Sequence, residues 1–193
     1  MNTARYVAAS ALALTALGCS ISGGLIAGST TAPGDYTPVL GKRFDAFLQP
    51  FGRDSGVVLG STSELAWSLG HAPYYAPDLW RSTVSVGYAK PPLPFAPRLG
   101  FETHFGFGLG RFALHGQGVP AMDGSVRLGM PIRLGPAHEF WDSEAPVALN
   151  LMLVPDLTVT SFVPLGPDVS HRPRSEVLFG LALRFHLWST LQP

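Results

Sequence analysis

The fold is decided by a stretch in the middle of the chain, residues 99–110, which reads LGFETHFGFGLG. Its odd-numbered positions carry large apolar side chains and Thr103, whereas its even-numbered positions carry glycine, Glu102 or His104. Successive side chains of a β-strand point to opposite faces, so this period of two predicts a strand with one apolar face and one small, polar face. The stretch is also long enough for a membrane-spanning strand, which needs about 9–11 residues.

Similar alternation continues on both sides of this stretch. It is clear in residues 126–135 and 176–187. After Gly110 the apolar parity shifts to Phe112, which indicates a bulge or a tight turn into a short strand ending near His115. Weaker alternation covers residues 56–69, 80–89, 147–153 and 157–163.

Turn sequences separate several of these runs, namely Pro91-Pro92, Asp123-Gly124 and Pro155-Asp156. The runs add up to eight strands if the short one is counted, and otherwise the N-terminal segment must supply one. Eight strands of about 11 residues fit between Gly56 and Trp188. We therefore predict an all-β fold, an antiparallel up-and-down β-barrel of about eight strands.

The composition of the two faces predicts which one lies outside. In the clear strands the second face is mostly glycine with a few charges, and small residues with opposite charges suit a narrow lumen. The apolar set is predicted to face lipid: Phe101, Phe105, Phe107, Leu128, Ile132, Leu181 and Phe185. The predicted lumen charge cluster consists of Glu102, His104, Arg127, Arg133 and Arg184, with at least one arginine compensating Glu102.

The overall composition excludes several classes of protein. Thirteen Lys and Arg balance 13 Asp and Glu among 193 residues, and only 13% of the chain is charged. A nucleic-acid partner bound through a basic face is therefore not expected. Beyond the first thirty positions no run of 18 apolar residues occurs, which excludes a polytopic helical membrane protein.

The N-terminus has the order of a signal peptide. Arg5 precedes an apolar run over residues 6–17, and Gly18 and Cys19 close it. Residues 16–19, Ala-Leu-Gly-Cys, resemble the bacterial lipobox, and this resemblance implies cleavage before Cys19 and acylation of its thiol. Residues 1–18 would then be a signal peptide. Cleavage near Ala27 or Ala32 and an uncleaved anchor helix remain alternatives.

The segment between this signal and the predicted barrel, residues 19–55, is interpreted as a lipidated tether. Residues 20–37 are rich in Gly, Ser, Thr and Pro, a composition typical of a flexible linker. A short amphipathic helix is then predicted, because Phe44, Phe47, Leu48 and Phe51 recur at helical spacing. The barrel domain would occupy residues 56–193.

Residues 56–188 resemble small bacterial outer-membrane β-barrels, and Gly180, Leu183 and Phe185 match the spacing of their C-terminal signal. Together with the lipobox, this resemblance implies a lipid-anchored outer-membrane protein with a structural or interaction role in the cell envelope. Its partners would be outer-membrane lipids and other envelope proteins.

No catalytic residue, cofactor or metal is assigned from the sequence. Two alternative functions stay open: a lipocalin-like periplasmic lipoprotein with its apolar set inside, binding a hydrophobic ligand, and a lipid-A-modifying barrel enzyme. The candidate residues for such an enzyme are Asp168, Ser170, His171, His138 and Glu139.

Overall fold

Antiparallel β-strands form the whole of the regular structure in the described part of the chain. The computed structural model describes residues 18–32, 35–51, 56–69, 78–90, 96, 98–114, 117–135, 138–140, 147–165 and 174–189. The strands in these ranges are β1 Cys19–Ala32, β2 Asp35–Leu48, β3 Val57–Ser68, β4 Leu79–Lys90, β5 Phe101–Leu114, β6 Gln117–Gly129, β7 Ile132–Arg133, β8 His138–Phe140, β9 Val147–Pro164 and β10 Arg174–Ser189.

None of the described residues belongs to a helix that could cross a membrane.

Eight long strands close a barrel, as the sequence predicts. The strands follow the order β10, β1, β2, β3, β4, β5, β6, β9, and β9 pairs with β10 to close the ring. The short strands β7 and β8 continue the edge of β6 along the 18-residue β9. Because neighbouring strands are antiparallel and eight in number, β1 begins where β10 ends. We call this the terminal end, where Cys19 pairs with Leu187, and the opposite end the far end.

The two faces of the wall have the predicted orientation. On β5, the Phe107 side chain is 74% exposed, whereas Glu102 on the alternate face is 1% exposed. Phe101, Phe105, Leu128, Leu181 and Phe185 are also exposed, and Ile132 is half-buried. The lipocalin-like alternative is wrong on this point, because it requires the apolar set to line the interior.

Three predicted breaks lie inside strands instead. Asp123-Gly124 lies within β6, Pro155-Asp156 lies within β9, and Phe112 continues β5. Pro155 has no N–H to donate, and its carbonyl accepts a hydrogen bond from Met130 N at the interruption between β6 and β7. Because the nitrogen and the carbonyl of one residue in an antiparallel strand point to the same side, the missing N–H lies where the ladder is already broken. The turn prediction at Pro91-Pro92 lies outside the described residues.

The predicted flexible tether is wrong, because residues 19–32 form β1 and pair on both sides. The small residues in this segment are required by close packing within the wall. A Cβ on Gly24 would lie 2.4 Å from the Leu181 carbonyl oxygen, and one on Gly28 would lie 2.0 Å from that of Val177. A composition typical of a linker is here the composition of a tightly packed strand, and the barrel begins at Cys19 rather than at residue 56.

The predicted amphipathic helix is also wrong, because this segment is mostly β2. Phe44 is 61% exposed on the outer face, whereas Phe47 is 6% exposed in the lumen. Residues three apart share a face in a helix but lie on opposite faces in a strand. Arg43 and Asp45, which the helical interpretation took as the polar face of the helix, are buried and face the lumen on either side of Phe44.

Candidate functional site in the barrel lumen

The inner surface of the barrel carries the charged groups that alternate with the apolar wall. Four arginines and six carboxylates are buried in the described ranges: Arg43, Arg81, Arg127, Arg184, Asp45, Glu64, Glu102, Asp123, Asp156 and Glu176. Charged groups removed from water are costly unless they are paired and hydrogen-bonded, so their arrangement decides the stability of this lumen.

Glu102 is held by Arg184, which reaches it across the lumen. Arg184 donates a hydrogen bond from Nη1 to Glu102 Oε2, and one from Nη2 to Oε1 at 2.7 Å. β5 and β10 share no ladder, so the pair exists only because the barrel closes. Arg127 Nη2 lies 3.8 Å from Glu102 Oε1, and His104 Nε2 lies 3.7 Å from the same oxygen.

An aromatic ring packs beside these charges. The Phe47 ring centroid lies 4.7 Å from Arg184 Cζ, 5.4 Å from Arg127 Cζ and 4.8 Å from the His104 ring. Guanidinium groups over an aromatic face gain electrostatic attraction from the ring quadrupole. Phe47 therefore belongs to the cluster, and the helical interpretation of its segment is the reason that sequence analysis missed it.

Asp45 and Asp156 occupy the next level of the lumen. Asp45 accepts hydrogen bonds from Arg127 at 2.7 and 3.4 Å, from Ser22 at 2.8 Å and from Thr62 at 2.8 Å. Asp156 accepts a two-point contact from Arg43, with Nη1 at 2.9 Å from Oδ1. Arg43 Nε also lies 3.5 Å from Asp45 Oδ2. These contacts link β2, β6 and β9 through their side chains.

Towards the far end, Arg81 is surrounded by acidic groups. It donates to Glu64 and to Thr160, and its Nη1 lies 3.5 Å from Glu176 Oε2. Asp123 accepts a hydrogen bond from Thr83 at 3.3 Å. Sequence analysis left most of these residues out, although alternation with apolar neighbours, as in Arg43, Phe44 and Asp45, is a signal that could have identified them.

Glycines on the inner face provide the room for these side chains. A Cβ on Gly180 would lie 2.5 Å from Arg43 Nη2 and 2.7 Å from both Asp156 carboxylate oxygens. A Cβ on Gly129 would lie 2.7 Å from Glu102 Oε1. These glycines thus leave free the space that the ion-paired side chains occupy in the lumen.

Gly180→Ala is expected to destabilise the barrel by about 1–3 kcal/mol, because the added methyl group would displace the Arg43–Asp156 contact. Urea unfolding of the refolded protein measures this. Gly124→Ala is the matched control, since a Cβ there meets nothing within 4 Å. Equal stabilities of the two variants would show that the space at Gly180 is not needed.

Two predicted site residues lie apart from the Glu102 cluster. Arg133 is in β7, is half-buried, and borders a cavity of about 100 Å³ at the terminal end. None of the described carboxylates forms an ion pair with it.

Cys19 is the first residue of β1, is half-buried, and has the same parity as the exposed Ile21, so it belongs to the outer face.

The described side chains also bear on whether the barrel could hold a metal ion. Within the described ranges, no group of three or more His, Cys, Asp or Glu side chains could hold a metal ion. Asp168, Ser170 and His171 lie outside the described residues, and only the backbone of His138 and Glu139 is described. Buried charges are instead used to bridge strands across the lumen.

Comparisons with known proteins agree with this architecture. No protein-family model matches the sequence, and no curated protein is significantly similar to it. The crystal structure of Neisserial surface protein A (NspA) is similar in fold, with a TM-score of 0.55 at 12% sequence identity. The match covers 86% of this chain and 96% of that one. At this identity, the likeness concerns the fold alone.

Proposed function

We propose that this chain spans the bacterial outer membrane as a small β-barrel with a structural or interaction role in the envelope, and that a lipid on Cys19 anchors it further. One observation carries the proposal: large apolar side chains cover the outside of the wall while the ionic groups fill its inside. This is the reverse of a water-soluble barrel, whose outer face is polar.

The apolar outer surface is extensive. It includes Ile21 and Leu25 on β1, Phe105 and Phe107 on β5, and Leu181 on β10, all more than half exposed. Soluble monomers rarely expose contiguous apolar patches larger than a few hundred Å². A band of this kind around a closed barrel is suited to the hydrocarbon core of a bilayer. The likeness to a Neisserial surface protein supports the same location.

The lumen supports a structural role over transport. Glu102 with Arg184 and Asp156 with Arg43 form contacts across the interior, and at a further level Glu64 with Arg81 joins the neighbouring strands β3 and β4. Eight-stranded barrels have interiors just wide enough for side chains to fill. A barrel whose lumen is filled by ion pairs between its strands presents its outer wall and its loops to lipids and to other envelope proteins.

The position of Cys19 supports lipidation. Its outward parity at the terminal end would direct a thioether-linked diacylglyceryl group along the apolar wall rather than into the charged lumen. Two or three acyl chains give stable membrane attachment, since each buried methylene contributes about 0.8 kcal/mol. The pairing of Cys19 with Leu48 and Leu187 holds this end of β1 in the wall.

Membrane fractionation followed by gel electrophoresis tests the spanning barrel. We expect the protein in the outer-membrane fraction, resistant to carbonate extraction, with a folded form that shifts in mobility on heating. If carbonate released the protein after the acyl chains on Cys19 had been removed, this would contradict a spanning barrel and favour a tethered soluble domain.

Cys19→Ala is expected to abolish incorporation of labelled palmitate, because Cys19 is the only cysteine in the chain. The heat-shifted folded band of the variant serves as its control, since the barrel does not need the thiol. Labelling that survives the substitution would refute acylation at Cys19. That outcome would leave the spanning barrel untouched, so the two parts of the proposal are tested separately.

A further inference from the structure

The cavity at the terminal end carries an unusual set of polar groups. Four of the residues that line it have a buried side-chain atom without a hydrogen-bond partner: Gln49 Oε1, Asn150 Oδ1, Arg133 Nε and Arg184 Nε. Asn150 is only 2% exposed. Buried polar groups in native proteins are nearly always hydrogen-bonded, so four unpaired atoms around one cavity indicate a missing partner.

The charges at the cavity add a second requirement. Glu102 also lines it, but this carboxylate is engaged by both Nη atoms of Arg184. Arg133 and the exposed Arg98 border the same cavity without an ion pair to any described residue. A partly buried guanidinium is costly without an anionic partner. Water could satisfy the single amides, whereas an anion would satisfy the donors and also compensate the charge of Arg133.

From these groups we infer that the terminal cavity binds a small oxyanion that itself carries a hydrogen-bond donor, namely hydrogen phosphate or the monoanionic form of a phosphate monoester. Its oxygens would accept from Arg133 Nε and Arg184 Nε, and its hydroxyl would donate to the oxygen of Asn150 or Gln49. A volume of about 100 Å³ suits one such group. The group could be free phosphate or the headgroup of a lipid phosphate monoester.

The choice between phosphate and sulfate tests the chemistry directly. The two ions have similar size and shape, but at neutral pH hydrogen phosphate keeps an O–H donor and sulfate has none. Calorimetric titration of the full-length protein, refolded in a sugar-headgroup detergent without phosphate, should give saturable phosphate binding at least tenfold tighter than sulfate binding. Absence of phosphate binding, or equal binding of both ions, would overturn the inference.

Three substitutions assign the binding to the cavity. Arg133→Gln should weaken phosphate binding at least tenfold, and Asn150→Leu should reduce the preference for phosphate over sulfate. Arg111→Gln is the matched control, because Arg111 is exposed on the outer face of β5. The heat-shifted band verifies folding of each variant. Unchanged affinity in folded Arg133→Gln, or an equal loss in Arg111→Gln, would show that the anion binds elsewhere.

The source of the phosphate is distinguished by a parallel titration. Inorganic phosphate alone is compared with short-chain phosphatidic acid, and short-chain phosphatidylcholine, a diester, serves as control. Competition between inorganic phosphate and phosphatidic acid, with loss of both in Arg133→Gln, supports one shared site. If phosphatidic acid bound equally well to Arg133→Gln, the binding would be contact of its acyl chains with the apolar wall, and this would count against a headgroup site.

Discussion

Phe107→Arg is expected to lower the free energy of unfolding by about 2–4 kcal/mol when the protein is folded in lipid vesicles. Phe107 is the seventh residue of the 14-residue β5, and its side chain is the most exposed of the large apolar groups among the described residues. An arginine at this position would place a charge near the middle of the hydrocarbon band. Urea titration of the vesicle-bound protein, followed by tryptophan fluorescence, measures the change.

The same substitution at the end of the strand is the control. Phe101 lies on the same outer face but is the first residue of β5, and Phe101→Arg should cost only about 0–1 kcal/mol. A water-soluble barrel would tolerate arginine equally well at both positions, because both are exposed. Equal and small costs would therefore disprove a membrane-spanning wall.

Glu102→Gln is expected to destabilise the barrel by about 3–5 kcal/mol, because it leaves the buried Arg184 guanidinium without its carboxylate. Replacing both partners by apolar residues, as in Glu102→Leu with Arg184→Met, should cost less than the single change. Removing a whole buried ion pair removes the uncompensated charge as well. Unfolding in detergent of the unsubstituted protein, Glu102→Leu, Arg184→Met and the double variant gives the four free energies of the double-mutant cycle, and Glu102→Gln is measured beside them.

The other two arginines of the predicted cluster provide internal comparisons. Arg127 lies 3.8 Å from Glu102 and shares its charge with Asp45, so its coupling to Glu102 should be smaller than that of Arg184. Arg133 forms no ion pair with Glu102, and the two substitutions should be additive. If the substitutions of Glu102 and Arg184 were also fully additive, the Glu102 carboxylate would not be paired with Arg184 and would be free to act on a ligand instead.

The alternation in residues 99–110 predicted a strand with two different faces, and the structure shows that the apolar face lies outside. In a strand, each position has only two possible directions, so a run of large apolar residues against glycines and charges predicts the element and separates its two faces. Once Phe107 and Glu102 are known to lie on opposite faces, closing the sheet decides which one is outside. The glycine face cannot cover a soluble barrel, and the phenylalanine face cannot fill a narrow lumen.

The N-terminal segment could not be interpreted in the same way, because local composition there supports two structures. The glycines and serines of residues 19–32 are equally compatible with a tether and with a tightly packed strand. Phe44 and Phe47 fit one helical face by their spacing, although they lie on opposite faces of β2. Only pairing with β10 and β3 on either side distinguishes these structures, and pairing is a property of the closed sheet.

The partners of the buried charges were decided by the tertiary structure alone. The sequence placed Glu102 and Arg184 on inner faces of their own strands and made Arg184 one of three candidate partners of Glu102, but it did not decide among the three. The two residues are 82 positions apart and belong to strands that do not pair, and closure of the ring brings their side chains across the lumen. A period of two determines which face a side chain occupies, whereas the curvature and closure of the barrel determine which side chains face one another.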